Sequence, residues 1–264
     1  MMMEKFLKLL IFFMFVVILL TACSHKINKE EMDAQAYFEY AKSLFDKGKY
    51  YNAINEFTVI TLKFSADPIV DDAQFYLAES HFMYKEYLIA IAEYQKLIED
   101  FPESPYVEEA FYKIGLSYSK LSLRAELDQE YTFQAIRQFQ NFLEAYPGSK
   151  FRKEAEQKMA ELRNKLAQKK LLGGDVYRKM GYLNSALIYY DIVLQEYYDT
   201  PAAESALFWK AECEYKLKKM ENALTSYTVF LEKYPSSKWA SRAKERISEI
   251  QESFSRSTAD AEGS

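Results

Sequence analysis

The sequence predicts an all-α fold, a superhelical array of about five helix–turn–helix repeats. Three observations carry the prediction. Glycine and proline are scarce, seven and six in 264 residues, so little interrupts a helix. An alanine followed four residues later by an aromatic recurs five times: Ala53/Phe57, Ala90/Tyr94, Ala135/Phe139, Ala186/Tyr190 and Ala223/Tyr227. Twelve residues before four of those alanines stands a second small residue, Ala41, Ala78, Gly174 or Ala211; in the third unit an insertion moves the counterpart, Gly115, to twenty residues before Ala135.

Small residues at these positions let two antiparallel helices approach closely, and the aromatic fills the space beside them. Phe101-Pro102, Tyr146-Pro147 and Tyr234-Pro235 close several units, because proline lacks an amide donor and cannot continue a helix. The pattern resembles the tetratricopeptide repeat, a helical pair of about 34 residues. The alanines here are spaced by 37, 45, 51 and 37 residues, so the repeats are degenerate, with two insertions.

Read in order, residues 1–22 form a signal segment. Lys5 and Lys8 precede the apolar run Leu9–Leu20, which fits the length of a signal core and is short for a membrane span of about 20 residues. Leu20-Thr21-Ala22-Cys23 resembles the bacterial lipobox. The resemblance implies cleavage before Cys23, a diacylglycerol on its thiol and an acyl chain on its new amino group; several chains anchor stably where one does not. The alternative is an uncleaved anchor with a chance cysteine. Ser24 follows, where an Asp would favour the inner membrane, so the outer membrane is favoured. Residues 23–32 are then a lipidated tether, 33–148 the first three repeats, 149–250 a long linking helix with repeats four and five, and 251–264 a disordered tail.

The first 22 residues carry a net +1 (Lys5, Lys8, Glu4), so the remainder is −6 against −5 for the whole chain. That excludes a general nucleic-acid binder. Cys213 is the only other cysteine, so no intramolecular disulfide accompanies lipidation. No Cys/His cluster, H-E-x-x-H, G-x-S-x-G or glycine-rich phosphate loop is present, and His81 stands alone in a helix. No enzyme and no cofactor are expected beyond the acyl groups.

In tetratricopeptide arrays the first helix of each unit lines the binding groove. Three residues before the first small residue stand Phe38, Phe75, Tyr112, Leu171 and Phe208; four after it stand Phe45, Phe82, Ser119, Arg178 and Tyr215. A spacing of seven returns to one helix face. Such a face would hold an extended or helical peptide, or be filled by the protein's own helices. Lys150–Lys170 should be one helix, extending to Lys179 if Gly173-Gly174 does not break it, with eight basic and three acidic residues over 150–170. It is either a solvated face or a docking face for an acidic partner.

Pro-x-Ser before three helices (Pro102-Glu103-Ser104, Pro147-Gly148-Ser149, Pro235-Ser236-Ser237), the run Asp128-Gln129-x-x-Thr132-x-x-Ala135 and the third-to-fourth linker together resemble the BamD (YfiO) family of outer-membrane assembly lipoproteins. The resemblance covers essentially the mature chain. It implies a periplasmic scaffold, lipid-anchored to the outer membrane, in the machinery that inserts β-barrel proteins. Its first repeats would receive the C-terminal segment of unfolded barrel proteins through Phe38, Phe45, Phe75, Phe82 and Tyr112. Its last repeats would contact BamA and other barrel-assembly components, with Arg178, Phe208 and Tyr215 as partner-binding residues. The competing readings are a repeat lipoprotein serving pilus assembly or cell-wall coordination, and an enzyme with an unrecognised site.

Overall fold

The computed structural model describes residues 29–262. Cys23, the lipobox and the signal segment lie outside the described residues. Among the described residues, eleven α-helices follow a 3₁₀ turn at Lys29–Glu31: α1 Ala34–Asp46, α2 Tyr50–Lys63, α3 Val70–Met83, α4 Tyr87–Asp100, α5 Val107–Leu121, α6 Glu130–Ala145, α7 Arg152–Lys179, α8 Leu183–Glu196, α9 Ala202–Lys216, α10 Met220–Lys233 and α11 Ala240–Glu262. No strand occurs among them. The chain forms two compact units, one up to Ala73 and one from Gln74 onward.

In the first unit α1 and α2 form one antiparallel pair. The Asp33 carboxylate caps α1 by accepting from the Ala36 amide at 2.8 Å, satisfying one of the orphan donors of a helix start. Ala41, Ala53, Phe57 and Ile60 are fully buried in its core.

In the second unit the pairs are α3–α4, α5–α6, α7–α8 and α9–α10, closed by α11. The small residues do what the sequence requires of them. A Cβ on Gly115 would stand 2.8 Å from the Phe139 ring, and one on Gly174 2.6 Å from the Tyr190 ring, both closer than packed carbon atoms tolerate.

The turn inside four pairs is one device used four times. Gly48, Lys85, Gly181 and Lys218, each five residues before its unit's alanine, have φ between 62° and 85°. The next amide bonds five residues back in each: Lys49 to Leu44, Glu86 to His81, Tyr182 to Tyr177 and Lys219 to Glu214. This is the Schellman closure, which needs a left-handed residue. Glycine adopts it without steric cost, and lysine does not.

Between pairs, the serine of each Pro-x-Ser accepts from the amide two residues on: Tyr106, Phe151 and Trp239, at 3.3, 3.0 and 3.2 Å. These side-chain turns set the angle at which the next helix departs.

The long helix takes the longer of its two expected extents, and the tail differs from expectation. The helix expected over 150–170 starts at Arg152 and continues unbroken through Gly173-Gly174 to Lys179. Its N-terminal half packs on α6 and its C-terminal half pairs with α8. Most of the tail expected to be disordered is helical, because α11 runs to Glu262. Phe254 packs against the last core cluster, and Arg256 pairs with Glu252 one turn back. Neither proline nor glycine interrupts the run before Gly263.

Candidate protein-binding face

The eight residues assigned to binding from the sequence fall into two groups. Those three before the small residue are packed inside. Phe38 lies against Phe57 in the first unit. In the second unit Phe75 stacks on Tyr106 at 4.3 Å, Tyr112 on Phe151 at 4.8 Å and Phe208 on Trp239 at 5.0 Å. The covering rings are the aromatics two residues past each Pro-x-Ser serine. Phe208 is wholly buried, and Phe38, Phe75 and Tyr112 are at most 7% exposed. They offer no open ring face, so the filled-by-own-helices alternative describes these four.

Those four after the small residue are different. Phe45, Phe82, Arg178 and Tyr215 are half-buried. Within the second unit, cations cover the aromatics. Lys113 Nζ sits 5.3 Å from the Phe82 ring centre, and the Arg246 guanidinium 4.4 Å from that of Tyr215. Arg178 lies 3.8 Å over Trp209. Each contact is a cation on a π face.

Carboxylates, buried at Glu79 and Glu212 and partly buried at Asp175, hold these cations, and sequence reasoning missed them. Tyr94 donates to Glu79, Tyr190 to Asp175 at 2.8 Å and Tyr227 to Glu212 at 2.6 Å. Each acid directly follows the unit's small residue. Glu79 also holds Lys113 at 2.7 Å, and Asp175 holds Arg178 at 3.2 Å. Glu212, 2% exposed, takes Arg242 and, at 3.4 Å, Arg246. Where the aromatic is Phe, in units one and three, the corresponding residue is Lys42 or Leu116. The signal was present: acid after the small residue, tyrosine fifteen residues later. Burial first, then the neighbouring acid, pushes all three phenols above their ordinary range, so each is a donor at physiological pH. Burial and then Glu154 likewise push Tyr112 up to about 12.

Several basic residues of α7 have specific partners. Lys165 reaches the Ser122 hydroxyl at 2.7 Å and Lys169 the Leu127 carbonyl at 2.6 Å, holding the insertion between α5 and α6. Arg163 grips Asp199 with two nitrogens. The Asp-Gln-x-x-Thr run completes the same clamp. Asp128 accepts from the Glu130 amide, Gln129 donates to the Arg124 and Leu127 carbonyls, and Thr132 donates to Gln129. A cavity of about 230 Å³ opens beside it, lined by Phe133, Leu166, Tyr197, Lys169, Lys170 and neighbouring acids.

His81 contacts Glu86 at 2.7 Å. Cys213 is buried, and burial pushes its thiol up to about 11. Among the described residues no group of three or more His, Cys, Asp or Glu could hold a metal, and no helix is long and apolar enough to cross a membrane.

Stacked helix pairs with repeated small–aromatic locks define a helical-repeat protein of the tetratricopeptide type. The chain belongs to the YfiO outer membrane lipoprotein family, whose model matches residues 30–227. No curated protein matches. Among solved structures, the chain is similar to the TPR2AB domain of yeast Sti1 in complex with pHSP90, at 17% identity over 86% of each chain with a TM-score of 0.49. It is also similar to a thermophilic TPR protein of Thermus thermophilus, at 16% identity over 83% of this chain and 99% of that one with a TM-score of 0.34. A third is YrrB, a TPR protein with an unusual peptide-binding site, at 18% identity over 83% and 94% with a TM-score of 0.34.

Proposed function

We propose that the protein is a non-enzymatic scaffold of the β-barrel assembly machinery, held at the periplasmic face of the outer membrane by acyl chains on Cys23. The observation that carries this reading is the family match over residues 30–227, which spans the repeats from α1 into α10. The N-terminal repeats take the C-terminal segment of an unfolded barrel protein. The candidate contacts are Phe45 in the first unit and Phe82 in the second, each of which keeps part of its surface open; Phe38, Phe75 and Tyr112 are packed inside their own units. The C-terminal repeats bind BamA through Arg178 and Tyr215, with Phe208 as their buried support.

An affinity pull-down of the tagged lipoprotein from detergent-solubilised envelopes tests the reading. Recovery of a large outer-membrane barrel with periplasmic repeats is expected. Recovery of pilus or cell-wall components without that barrel would overturn it. At the residue level, Phe82→Ala in a folded protein should weaken binding of a barrel C-terminal peptide; an unchanged dissociation constant removes Phe82 from the site.

A further inference from the structure

One face of α2 is unlike the other exposed helix faces in how the chain approaches it. Tyr51, Val59 and Leu62 are exposed there, Leu62 by 74%. With Asn55 and Thr58 they occupy about a third of the circumference at 3.6 residues per turn. Exposed lysines stand at both ends, Lys47 and Lys49 before the helix and Lys63 in its last turn. The neighbouring carboxylates Glu56 and Asp46 are paired with Lys29 and Lys42.

The second observation is where the chain arrives. Lys29, the first described residue, is ion-paired to Glu56 in the middle of the same helix and lies 5.1 Å from the Tyr40 ring centre. Glu56 projects beside Val59 and Lys63 around the helix. Cys23 is six residues upstream, and six residues reach at most about 21 Å even when fully extended. An acyl group on Cys23 therefore confines this face to the neighbourhood of the bilayer surface, within a few headgroup-layer thicknesses.

We infer that this face of α2 lies on the lipid surface. Tyr51, Val59 and Leu62 enter the interfacial layer, where an amphipathic aromatic and aliphatic side chains are favourable, and Lys47, Lys49 and Lys63 meet anionic headgroups. The acyl chains supply the holding power, and the face sets the orientation of the first unit on the membrane. The inference rests on the reading of Cys23 as acylated.

The test uses the purified lipoprotein in vesicles of phosphatidylethanolamine and phosphatidylglycerol. Asn55→Cys, in the middle of the face, takes a fluorophore. Cys23 is occupied in the acylated protein and Cys213 is buried with a raised pKa, so the label is selective. Headgroup-level nitroxide lipids should quench it about two-fold or more, as for a group in the interface. Adding Tyr51→Glu and Leu62→Glu, both at exposed positions, should restore the fluorescence while the circular dichroism stays unchanged. Absence of quenching in protein whose intact mass shows the acyl groups overturns the contact and leaves the anchor standing. Quenching that survives the double glutamate change also overturns it, because the tether alone then explains proximity. An intact mass without acyl groups overturns the anchor and the inference together. Shielding of the label only when envelope proteins are added overturns it too, and assigns the face to a protein partner instead.

Discussion

The third and fifth repeats solve the same packing problem with different chemistry. In the fifth, Tyr227 presses on Ala211 and its hydroxyl reaches the buried Glu212, which in turn draws Arg242 and Arg246 from α11. In the third, Phe139 presses on Gly115, and the residue after that glycine is Leu116. There the neighbouring elements are joined instead by Lys165, Lys169 and Gln129 around the insertion. One repeat carries its polar link inside the helix pair; the other carries it outside. A buried carboxylate gains little net stability over an apolar core, yet losing it strands its partners. The fifth repeat should thus be the more brittle of the two.

Removing the link should have the largest effect. Glu212→Ala leaves Arg242 and the Tyr227 phenol without their acceptor, while Arg246 keeps Glu249 at 2.7 Å, and should cost about 3 kcal/mol, the low end for a broken buried pair because both arginines reach solvent. Urea denaturation gives the value; a loss no larger than that of Leu116→Ala would erase the distinction. Next, Phe139→Tyr places a buried hydroxyl where no acid waits and should cost about 1–3 kcal/mol. Combining it with Leu116→Glu should recover part of that loss. A double-mutant cycle with no coupling would mean the acid–tyrosine register is incidental.

A smaller effect of opposite sign comes from the turns. Lys218→Gly should stabilise the fifth repeat by about 0.5–1 kcal/mol by relieving a left-handed lysine, whereas Gly48→Ala or Gly181→Ala should destabilise; thermal midpoints decide. The smallest concerns pH. Burial holds the Glu214 carboxyl above the ordinary glutamate value, and Ser226 only partly offsets this. The folded state therefore binds its proton more tightly than the unfolded chain does, and stability falls as pH rises from the unfolded value through the folded one. Glu214→Gln should remove that slope and make the protein slightly more stable at neutral pH; an unchanged stability profile from acid to neutral pH contradicts it.

Much of this fold was legible because the small–aromatic register is local and repeats. Gly115, Gly174 and the five alanines announce their helix pairs. The binding face was only half legible. Phe75 and Phe82 share a helix face by a count of seven, so periodicity cannot separate a ring that is covered from one that is partly open. What separates them is Tyr106, thirty-one residues downstream of Phe75, and the corresponding Phe151 and Trp239 act on Tyr112 and Phe208. The acids Glu79, Asp175 and Glu212 read as ordinary surface charge until their tyrosines are placed beside them. Helix α11 escapes a reading by composition for a related reason. Its serine-rich run reads as disordered, yet it continues a helix anchored in the last core by Ile247, Ile250 and Phe254.

Helix α7 has a last consequence. It closes the third repeat with its first half and opens the fourth with its second, on a single unbroken 28-residue rod. Repeat proteins ordinarily melt by shedding units at interfaces. Here two neighbouring units share the same hydrogen-bonded ladder, so neither can be lost without fraying the other. The middle of the chain should behave as one cooperative block, with amides of α6 and α8 exchanging together while the ends open independently.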